Sequence, residues 1–242
     1  MATNLSGPVL VAGRPLFGAG GDTVPQHPVG ARVEANDGRV YRYCFVTPTA
    51  MVAGQLYQGP AQKTTHQDLT ATAAAIGDTT LSSLVLGATV IQLNEYAGGQ
   101  AVISVTPGVG YSYRIKSHLG GAASATISFT LEDAVEVALT ATSRIDLVHN
   151  PYNGVIVNPT TRTGPVVGVA VDVITAGNYG WIQSQGPIGV LADGTIAVGN
   201  NVSASTGVAG AVAVATTATA LLGWACTGIA DTEYGSVYLT LD

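Results

Sequence analysis

The sequence predicts an all-β protein: a Gly-rich β-barrel module containing a repeated hairpin, with an inserted second β module and an extended N-terminal arm. Two observations lead to this prediction. A pattern of strand, short turn and strand at residues 166–185 returns at residues 221–240, at a constant offset of 55 residues. Short apolar runs elsewhere are separated by turn residues, and a chain with 31 glycines and only 10 % charged residues favours short strands over solvated helices.

The two copies of the repeat agree at the positions that shape a hairpin. Their first six residues are Val-Val-Gly-Val-Ala-Val at 166–171 and Leu-Leu-Gly-Trp-Ala-Cys at 221–226. Isoleucine, tyrosine and glycine then occur at 174, 179 and 180, and again at 229, 234 and 235. A single hairpin cannot bury its apolar face alone. We therefore expect the copies to pair within one closed or nearly closed sheet, the alternative being chance resemblance between two hairpins rich in glycine and valine.

Composition changes along the chain predict three regions: an extended N-terminal arm at 1–30, a β-barrel module formed by 31–62 and 151–242, and an inserted β module at 63–150. Glycines and prolines interrupt the first region, while the inserted region is the most densely charged and alternates more cleanly. The arm is either a disordered terminus or an extended segment that orders only on a neighbouring subunit.

Local patterns predict individual elements within these regions. Asn36-Asp37-Gly38 supplies the turn of one hairpin, and Asp193-Gly194 supplies that of a second hairpin at 188–198. Alternation in the inserted module predicts strands at 111–116, 126–131 and 135–140. The best helix candidate is 68–76, although it contains threonines.

Charge and hydropathy argue against two kinds of partner. The formal net charge of −6 argues against nucleic acid, because phosphate binding requires clustered Lys and Arg. Residues 1–30 lack the features of a secretory signal. Residues 208–226 are uncharged and long enough to span a bilayer, but their Ala, Gly and Thr content favours two buried strands joined by a Thr-rich turn. We expect neither a nucleic-acid nor a membrane partner.

Ser143, Asp146 and His149 are the residue types of a hydrolase triad within seven positions. Working triads gather their members from distant parts of a fold, with the nucleophile on a strained turn. Strand-like spacing here would point Ser143 and Asp146 to opposite faces. We therefore expect a protein without catalytic residues, and a hydrolase built on Ser143 is kept only as a third class of function.

Other polar clusters have equally ordinary interpretations. His66 and Asp68 supply two metal ligands, but no third His or Cys has ligand-like spacing, so a polar loop is favoured. Glu132, Asp133 and Glu136 are the residue types of a glycosidase pair or a calcium site, yet adjacent carboxylates beside an alternating strand favour a solvated turn. We expect no metal and no cofactor.

Two cysteines and two tryptophans complete the candidates. Cys44 and Cys226 lie in apolar strand patterns that suit buried thiols, and the sequence leaves open whether they form a disulfide. Trp181 and Trp224 lie at the strands of the repeat, where packing within the barrel is favoured over a sugar-stacking platform.

Four segments resemble virion structural proteins of tailed bacteriophages, most of all capsid decoration, or cement, proteins. They are the hairpin at 33–43, the strand at 110–118, the run at 146–155 that contains Asn150-Pro151-Tyr152-Asn153-Gly154, and residues 186–198 with Leu-Ala-Asp-Gly-Thr at 191–195. The resemblance extends from about residue 30 to the end of the chain. Its motifs are patterns of turns and strands.

The resemblance implies a non-enzymatic protein on the capsid exterior of the virion. Such a protein binds the assembled major capsid protein, often as a homotrimer, and reinforces the shell against the pressure of the packaged DNA. An N-terminal arm commonly makes these contacts. Residues 1–30 suit that role, because their isolated apolar side chains would otherwise stay wet. The predicted capsid-contact residues are Val9, Val11, Arg14, Leu16 and Phe17.

A second class of function is a recognition module on a phage tail or fibre. In this alternative the inserted module binds a host glycan through Tyr96, Tyr111 and Tyr113. A ring of aromatic side chains on one exposed face would favour it over the decoration protein.

Overall fold

The computed structural model describes residues 9–11, 20–217 and 219–242, and for 9–11 it describes the backbone only. The fold is all-β, with 44 % of residues in strands and 1 % in helix, which confirms the predicted fold class. One short 3-10 helix covers Thr64–His66. The strands are β1 (Val9–Val11), β2 (Arg32–Ala35), β3 (Val40–Val46), β4 (Leu56–Gln58), β5 (Leu69–Thr70), β6 (Thr80–Val85), β7 (Gln100–Val105), β8 (Ser112–His118), β9 (Thr126–Leu131), β10 (Arg144–Val148), β11 (Asn153–Val157), β12 (Val166–Ala170), β13 (Tyr179–Leu191), β14 (Asn201–Ala204), β15 (Val212–Val214), β16 (Gly223–Ala225) and β17 (Tyr234–Thr240).

The chain divides into two compact units. The first contains Met1–Pro60 and Gly154–Asp242, and the second contains Ala61–Asn153. The sequence pattern places the corresponding boundaries at 62/63 and 150/151. The separate N-terminal arm remains a prediction, because residues 1–8 and 12–19 lie outside the described part of the chain.

Strand β13 organises the sheet of the first unit. Its 13 residues pair with β3 from Tyr179 to Gln185 and with β17 from Gln185 to Leu191. The order β3-β11-β4-β12-β13 closes on itself through the β3–β13 pairing. The sheet continues through β17-β16-β14-β15, and a bridge between Ala192 and Val212 brings β15 back to the end of β13. The single sheet of the first unit therefore has one closed barrel-like part, from β3 to β13, and one nearly closed part, from β13 to β15.

The repeated hairpins lie within this sheet and pair with each other. β12 and β13 form the first copy, β16 and β17 form the second, and β13 pairs antiparallel with β17 over seven residues. This confirms the expectation that both copies share one sheet. Gly168 and Gly223, at equivalent positions, have φ of 153° and 154°. A Cβ at either would lie 2.4 Å from the carbonyl oxygen of Gln183 or 1.8 Å from that of Tyr238, two positions that are themselves equivalent.

The turn inside each copy also occurs a third time, at residues 193–201. In all three turns a buried isoleucine makes a β-bridge, a β-turn follows, and the third residue of that turn has positive φ. Ile196 and Ile229 bridge each other through two backbone hydrogen bonds of 2.9 Å. The sequence pattern missed this copy, because only the isoleucine and small residues around it are shared. The three bridging residues are Ile174, Ile196 and Ile229, and the positive-φ residues are Gly177, Gly199 and Thr232.

The second unit is a six-stranded sheet in the order β5-β10-β7-β8-β9-β6. Its edge strands approach each other, and Thr72 Oγ1 donates a hydrogen bond to the Ser82 carbonyl, so the sheet is nearly closed. β8 and β9 alternate as predicted: Tyr113 and Ile115 point into the core and Arg114 points outward. Phe129 and Tyr96 are among the largest side chains of this core.

Three local predictions are wrong, each because long-range pairing overrides a local pattern. Residues 68–76 contain strand β5 and an Ala74–Leu139 bridge, not a helix. Residues 135–140 form bends around the same bridge, not a strand. Residues 188–198 form no hairpin, because β13 pairs with β17 and Ile196 with Ile229. β3 is buried or half-buried along its whole length.

The equivalent glycines allow a direct test of the repeat. Gly168→Ala and Gly223→Ala should each lower the free energy of unfolding by about 2 kcal/mol or more, because a Cβ would collide with a backbone carbonyl and favour a different φ. Gly189→Ala, on β13, is the control: a Cβ there meets nothing within 4 Å. Urea denaturation measures all three. If Gly168→Ala or Gly223→Ala were as stable as Gly189→Ala, the proposed equivalence would be contradicted.

Candidate functional sites

The predicted capsid-contact residues fall at the start of the chain. The backbone of β1 pairs in parallel with β2, with Val9 opposite Val33 and Val11 opposite Ala35. β1 is the terminal strand of the eleven-stranded order. The side chains of Val9 and Val11, and the whole of Arg14, Leu16 and Phe17, lie outside the described part of the chain.

The structure does not assemble the triad considered from the sequence. The Ser143 hydroxyl is buried and donates to the Pro107 carbonyl at 2.7 Å. Asp146 accepts a hydrogen bond from the backbone N–H of Asp68 at 2.7 Å. His149 lies 3.2 Å from Glu95. Each of the three side chains is therefore engaged with a different partner, and the hydrolase class receives no geometric support.

His149 belongs instead to a buried cluster around Tyr96 in the second unit. The ring of His149 stacks on Tyr96 at 4.2 Å between centroids, and His66 Nδ1 lies 2.8 Å from the Tyr96 hydroxyl. His118 Nε2 accepts a hydrogen bond from the Tyr96 backbone N–H at 2.9 Å. Three of the four histidines in the chain thus surround one fully buried tyrosine.

Hydrogen bonding fixes the neutral form of His118. Its Nδ1 faces the Leu119 carbonyl at 2.9 Å and must carry the hydrogen, because a carbonyl can only accept. Its Nε2 faces the Tyr96 N–H, which can only donate. A proton on Nε2 would therefore place two hydrogens against each other inside the core. Burial lowers the pKa of His118 in the same direction.

His66 is held neutral by a similar arrangement. Its Nε2 faces the Thr89 carbonyl at 3.1 Å, so its Nδ1 accepts from the Tyr96 hydroxyl. Protonation of Nδ1 would leave that buried hydroxyl without its acceptor. Burial lowers the pKa of His66 as well.

Glu95 is the charged member of the cluster, and Lys63 Nζ lies 2.5 Å from its carboxylate. Burial acts to raise the pKa of Glu95, but hydrogen bonds from His149, Lys63 and the Gln92 backbone N–H outweigh it and lower that pKa to about 2. The His149 Nδ1 atom is buried and has no hydrogen-bond partner among the described residues. The cluster thus combines the Lys63–Glu95 ion pair with two imidazoles, those of His66 and His118, that favour the neutral form.

The metal and carboxylate candidates remain separate in the structure. Within residues 9–11, 20–217 and 219–242, no group of three His, Cys, Asp or Glu side chains is placed to hold a metal ion. His66 is buried against Tyr96, while Asp68 is exposed and its carboxylate lies 3.7 Å from Arg144 Nε. Glu132 pairs with Arg114 on the surface at 3.3 Å.

Residues 208–226, which the sequence raised as a possible span, contain the short strands β15 and β16. The Thr216 N–H donates to Thr219 Oγ1 in the turn between them. In the part of the chain that the structure describes, no helix has the length and hydropathy needed to cross a bilayer.

The aromatic side chains fall into a buried and an exposed set. Tyr96 and Tyr113 are buried, and only Tyr111 of that trio is exposed, so these three do not form the surface ring expected for glycan binding. Trp181 packs in the core against Tyr43, with ring centroids 5.0 Å apart, as predicted.

Trp224 departs from the core packing predicted for both tryptophans. It is 42 % exposed on β16 and stacks on Tyr238 of β17, with ring centroids 4.7 Å apart and planes 4° apart. The alternation of β17, in which Val237 and Leu239 are buried, places Tyr238 on the outer face. The same alternation was readable in the sequence and would have identified this exposed pair.

Both cysteines are free, which answers the question of the disulfide. Cys44 is buried in β3, and burial raises the pKa of its thiol, whereas Cys226 is exposed after β16. The two thiols therefore differ strongly in accessibility.

The histidine cluster predicts an acid-sensitive second unit. The unfolded chain binds protons at His66 and His118 near pH 6.5, and the folded chain binds them only at lower pH. The contribution of these two histidines to the free energy of unfolding should therefore be constant above about pH 6.5. It should fall as the pH drops from there through the lowered pKa values of the folded state, with a limiting slope of about 2.7 kcal/mol per pH unit for two protons. The contribution of Glu95 should be lost in a second window, from its ordinary pKa of 4.5 down to about 2.

Urea denaturation across this pH range, with hydrogen exchange of the segment containing Tyr96 as the local measurement, tests the cluster. His118→Gln should reduce the slope by about one proton. His27→Gln, at the exposed histidine of the first unit, is the control and should leave the hydrogen exchange of the segment containing Tyr96 unchanged. An identical slope in the native chain and His118→Gln would contradict the assignment, and His66→Gln provides the second variant if His118→Gln fails to fold.

A thiol-specific reagent should modify one cysteine rapidly in the folded protein and a second only after denaturation. Cys226→Ser should remove the rapid reaction, while Cys44→Ser should preserve it, because only the thiolate of an accessible cysteine reacts readily. Rapid modification of both cysteines in the folded protein, or of neither, would contradict the assigned environments.

No protein family model, curated protein or solved structure matches this chain.

Proposed function

We propose that this chain is a non-enzymatic structural protein of a tailed-bacteriophage virion, which binds the outer surface of the assembled capsid and stabilises the shell. Its partners in this proposal are the major capsid protein and other copies of the chain, with a trimer favoured. The proposal rests on the resemblance of four segments to decoration proteins, together with the placement of the N-terminal strand.

The position of β1 is the observation that favours this function most. β1 ends the eleven-stranded order, and its outer edge has no strand partner among the described residues. A terminal strand presents backbone N–H and C=O groups that can pair with an added strand from another chain. The segment predicted to contact the capsid therefore offers backbone hydrogen bonding as well as apolar side chains.

Composition supports contact with protein over contact with packaged DNA. The chain has 9 Lys and Arg against 15 Asp and Glu, so a DNA surface would repel it. Its low charge suits the many weak protein contacts of a repeated lattice.

The stabilising effect follows from mass action. A ligand that binds only the assembled shell adds RT ln(1 + [L]/Kd) per site, about 2.7 kcal/mol at a concentration of 100 Kd. Repetition of the contact by capsid symmetry multiplies this contribution, and linkage of copies in a trimer increases the avidity. No chemical step is required of the protein.

Removal of residues 1–11 tests the role of β1. The truncated protein should remain folded but should no longer co-sediment with capsids assembled from the cognate major capsid protein. The near-ultraviolet circular dichroism of the Trp181–Tyr43 pair reports on the fold of the first unit.

Val198→Ala is the matched control, because it removes an exposed apolar side chain from the first unit outside residues 1–30. This variant should co-sediment like the full chain. Co-sedimentation of the truncated protein at full stoichiometry would remove β1 from the proposed mechanism.

The alternative of a tail or fibre recognition module lacks its expected site, because Tyr96 and Tyr113 are buried. An exposed aromatic surface does occur on the first unit, where Trp224 stacks on Tyr238.

A further inference from the structure

A shallow groove of about 470 Å³ lies on the first unit beside the second half of β13. Pro187 and Gly189 of β13 form part of its lining, together with Arg39, Gly54 and Tyr234. A Cβ built on Gly189 would meet nothing within 4 Å, so the strand leaves open space there. The groove is open along the surface, which suits an elongated ligand better than an enclosed one.

Tyr234 forms one side of the groove. It is 55 % exposed, yet its ring is positioned, because a Cβ on Gly54 would lie 2.7 Å from its Cε1 atom. The backbone of Gly54 therefore supports the ring along its edge. Tyr234 presents an aromatic surface and a hydroxyl that can donate and accept hydrogen bonds.

A second aromatic surface begins beside the groove, at Tyr238 on the same strand as Tyr234. Pro187, which lines the groove, is the register partner of Tyr238, and Tyr238 is the register partner of Trp224. The three residues form a row across β13, β17 and β16 on the outer face of the sheet. Trp224 stacks on Tyr238 with one face of its indole and remains 42 % exposed.

The charges of the groove favour a neutral ligand. Arg39 is the only charged residue that lines it, and its Nε donates to Asp37 at 2.8 Å. The guanidinium is therefore already compensated, while its terminal N–H groups donate to no described residue. A phosphate or a carboxylate would meet an occupied cation and a chain of net charge −6.

We propose that this groove binds a neutral oligosaccharide. Pyranose rings present flat C–H faces that pack on aromatic rings, and hydroxyl edges that require donors and acceptors. Tyr234 and Trp224 supply the stacking surfaces, and the terminal N–H groups of Arg39 and the Tyr234 hydroxyl supply hydrogen bonds. The open surface at Gly189 and Pro187 of β13 accommodates further sugars beside Tyr234.

Titration with a panel of neutral hexasaccharides (cellohexaose, maltohexaose, xylohexaose and N-acetylchitohexaose) tests the proposal, with calorimetry and tryptophan fluorescence as measurements. At least one member should bind, with Kd below about 10 mM. Tyr234→Ala, Trp224→Ala and Gly189→Gln should each weaken that binding by about tenfold or more, the last by filling the groove.

Tyr111→Ala is the matched control, because Tyr111 is an exposed tyrosine of the second unit that stacks on Tyr113 at 6.3 Å. It should change the affinity by less than about twofold. Gly189→Gln adds a side chain in open space, so it keeps the test valid if Trp224→Ala fails to fold.

Three results would overturn the proposal: no binding by any hexasaccharide, binding that all groove variants retain, or sedimentation showing that Trp224→Ala dissociates a homo-oligomer that binds no sugar. None of them bears on capsid binding, which is tested by removal of residues 1–11. The two proposals therefore fail independently.

Discussion

The first unit depends on one strand that is shared by the two barrel-like parts of its sheet. At about 3.3 Å per residue, the 13 residues of β13 extend for about 43 Å, long enough to pair with β3 along one half and β17 along the other. The register to β3 shifts between Gln183 and Gln185, where the pairing changes. There the buried Gln183 amide donates to the carbonyls of Gln185 and Pro187 at 3.0 and 3.1 Å, so polar groups at the change of partner remain satisfied.

The hairpin repeat and the pairing of β13 have the same structural origin. β13 is the second strand of the first copy, and its partner β17 is the second strand of the second copy. For this reason a constant offset in the sequence predicted the central pairing correctly. The hairpin at Asp37-Gly38 was also predictable, since its turn and both strands are local. Asp193-Gly194 gives the same local signal, but Ile196 there pairs with Ile229, 33 positions away, which no local pattern reveals.

The histidine cluster, like the Ile196–Ile229 pairing, could not be predicted from local sequence patterns. Its members come from four separate stretches of the second unit, around His66, Tyr96, His118 and His149. A lone histidine in a sequence has no distinguishing neighbour, so the sequence raised a metal ligand at His66 and a triad member at His149 only as disfavoured alternatives. The distribution of residue types was the available signal, because three of the four histidines occur in the inserted region. Only the folded sheet reveals that all three meet one tyrosine.

The three equivalent turns of the first unit share a backbone shape but differ in the chemistry of one exposed residue. Each buries an isoleucine, while the residue that follows the first turn position is exposed and differs: Ala176, Val198 or Asp231. The buried isoleucine and the backbone hydrogen bond of the turn therefore set the backbone geometry. The core does not constrain the exposed residue. Duplication of one turn, followed by divergence of its exposed residue, would produce this pattern. The same property makes the loop tips natural points for displaying a foreign epitope, with the scaffold beneath them unchanged.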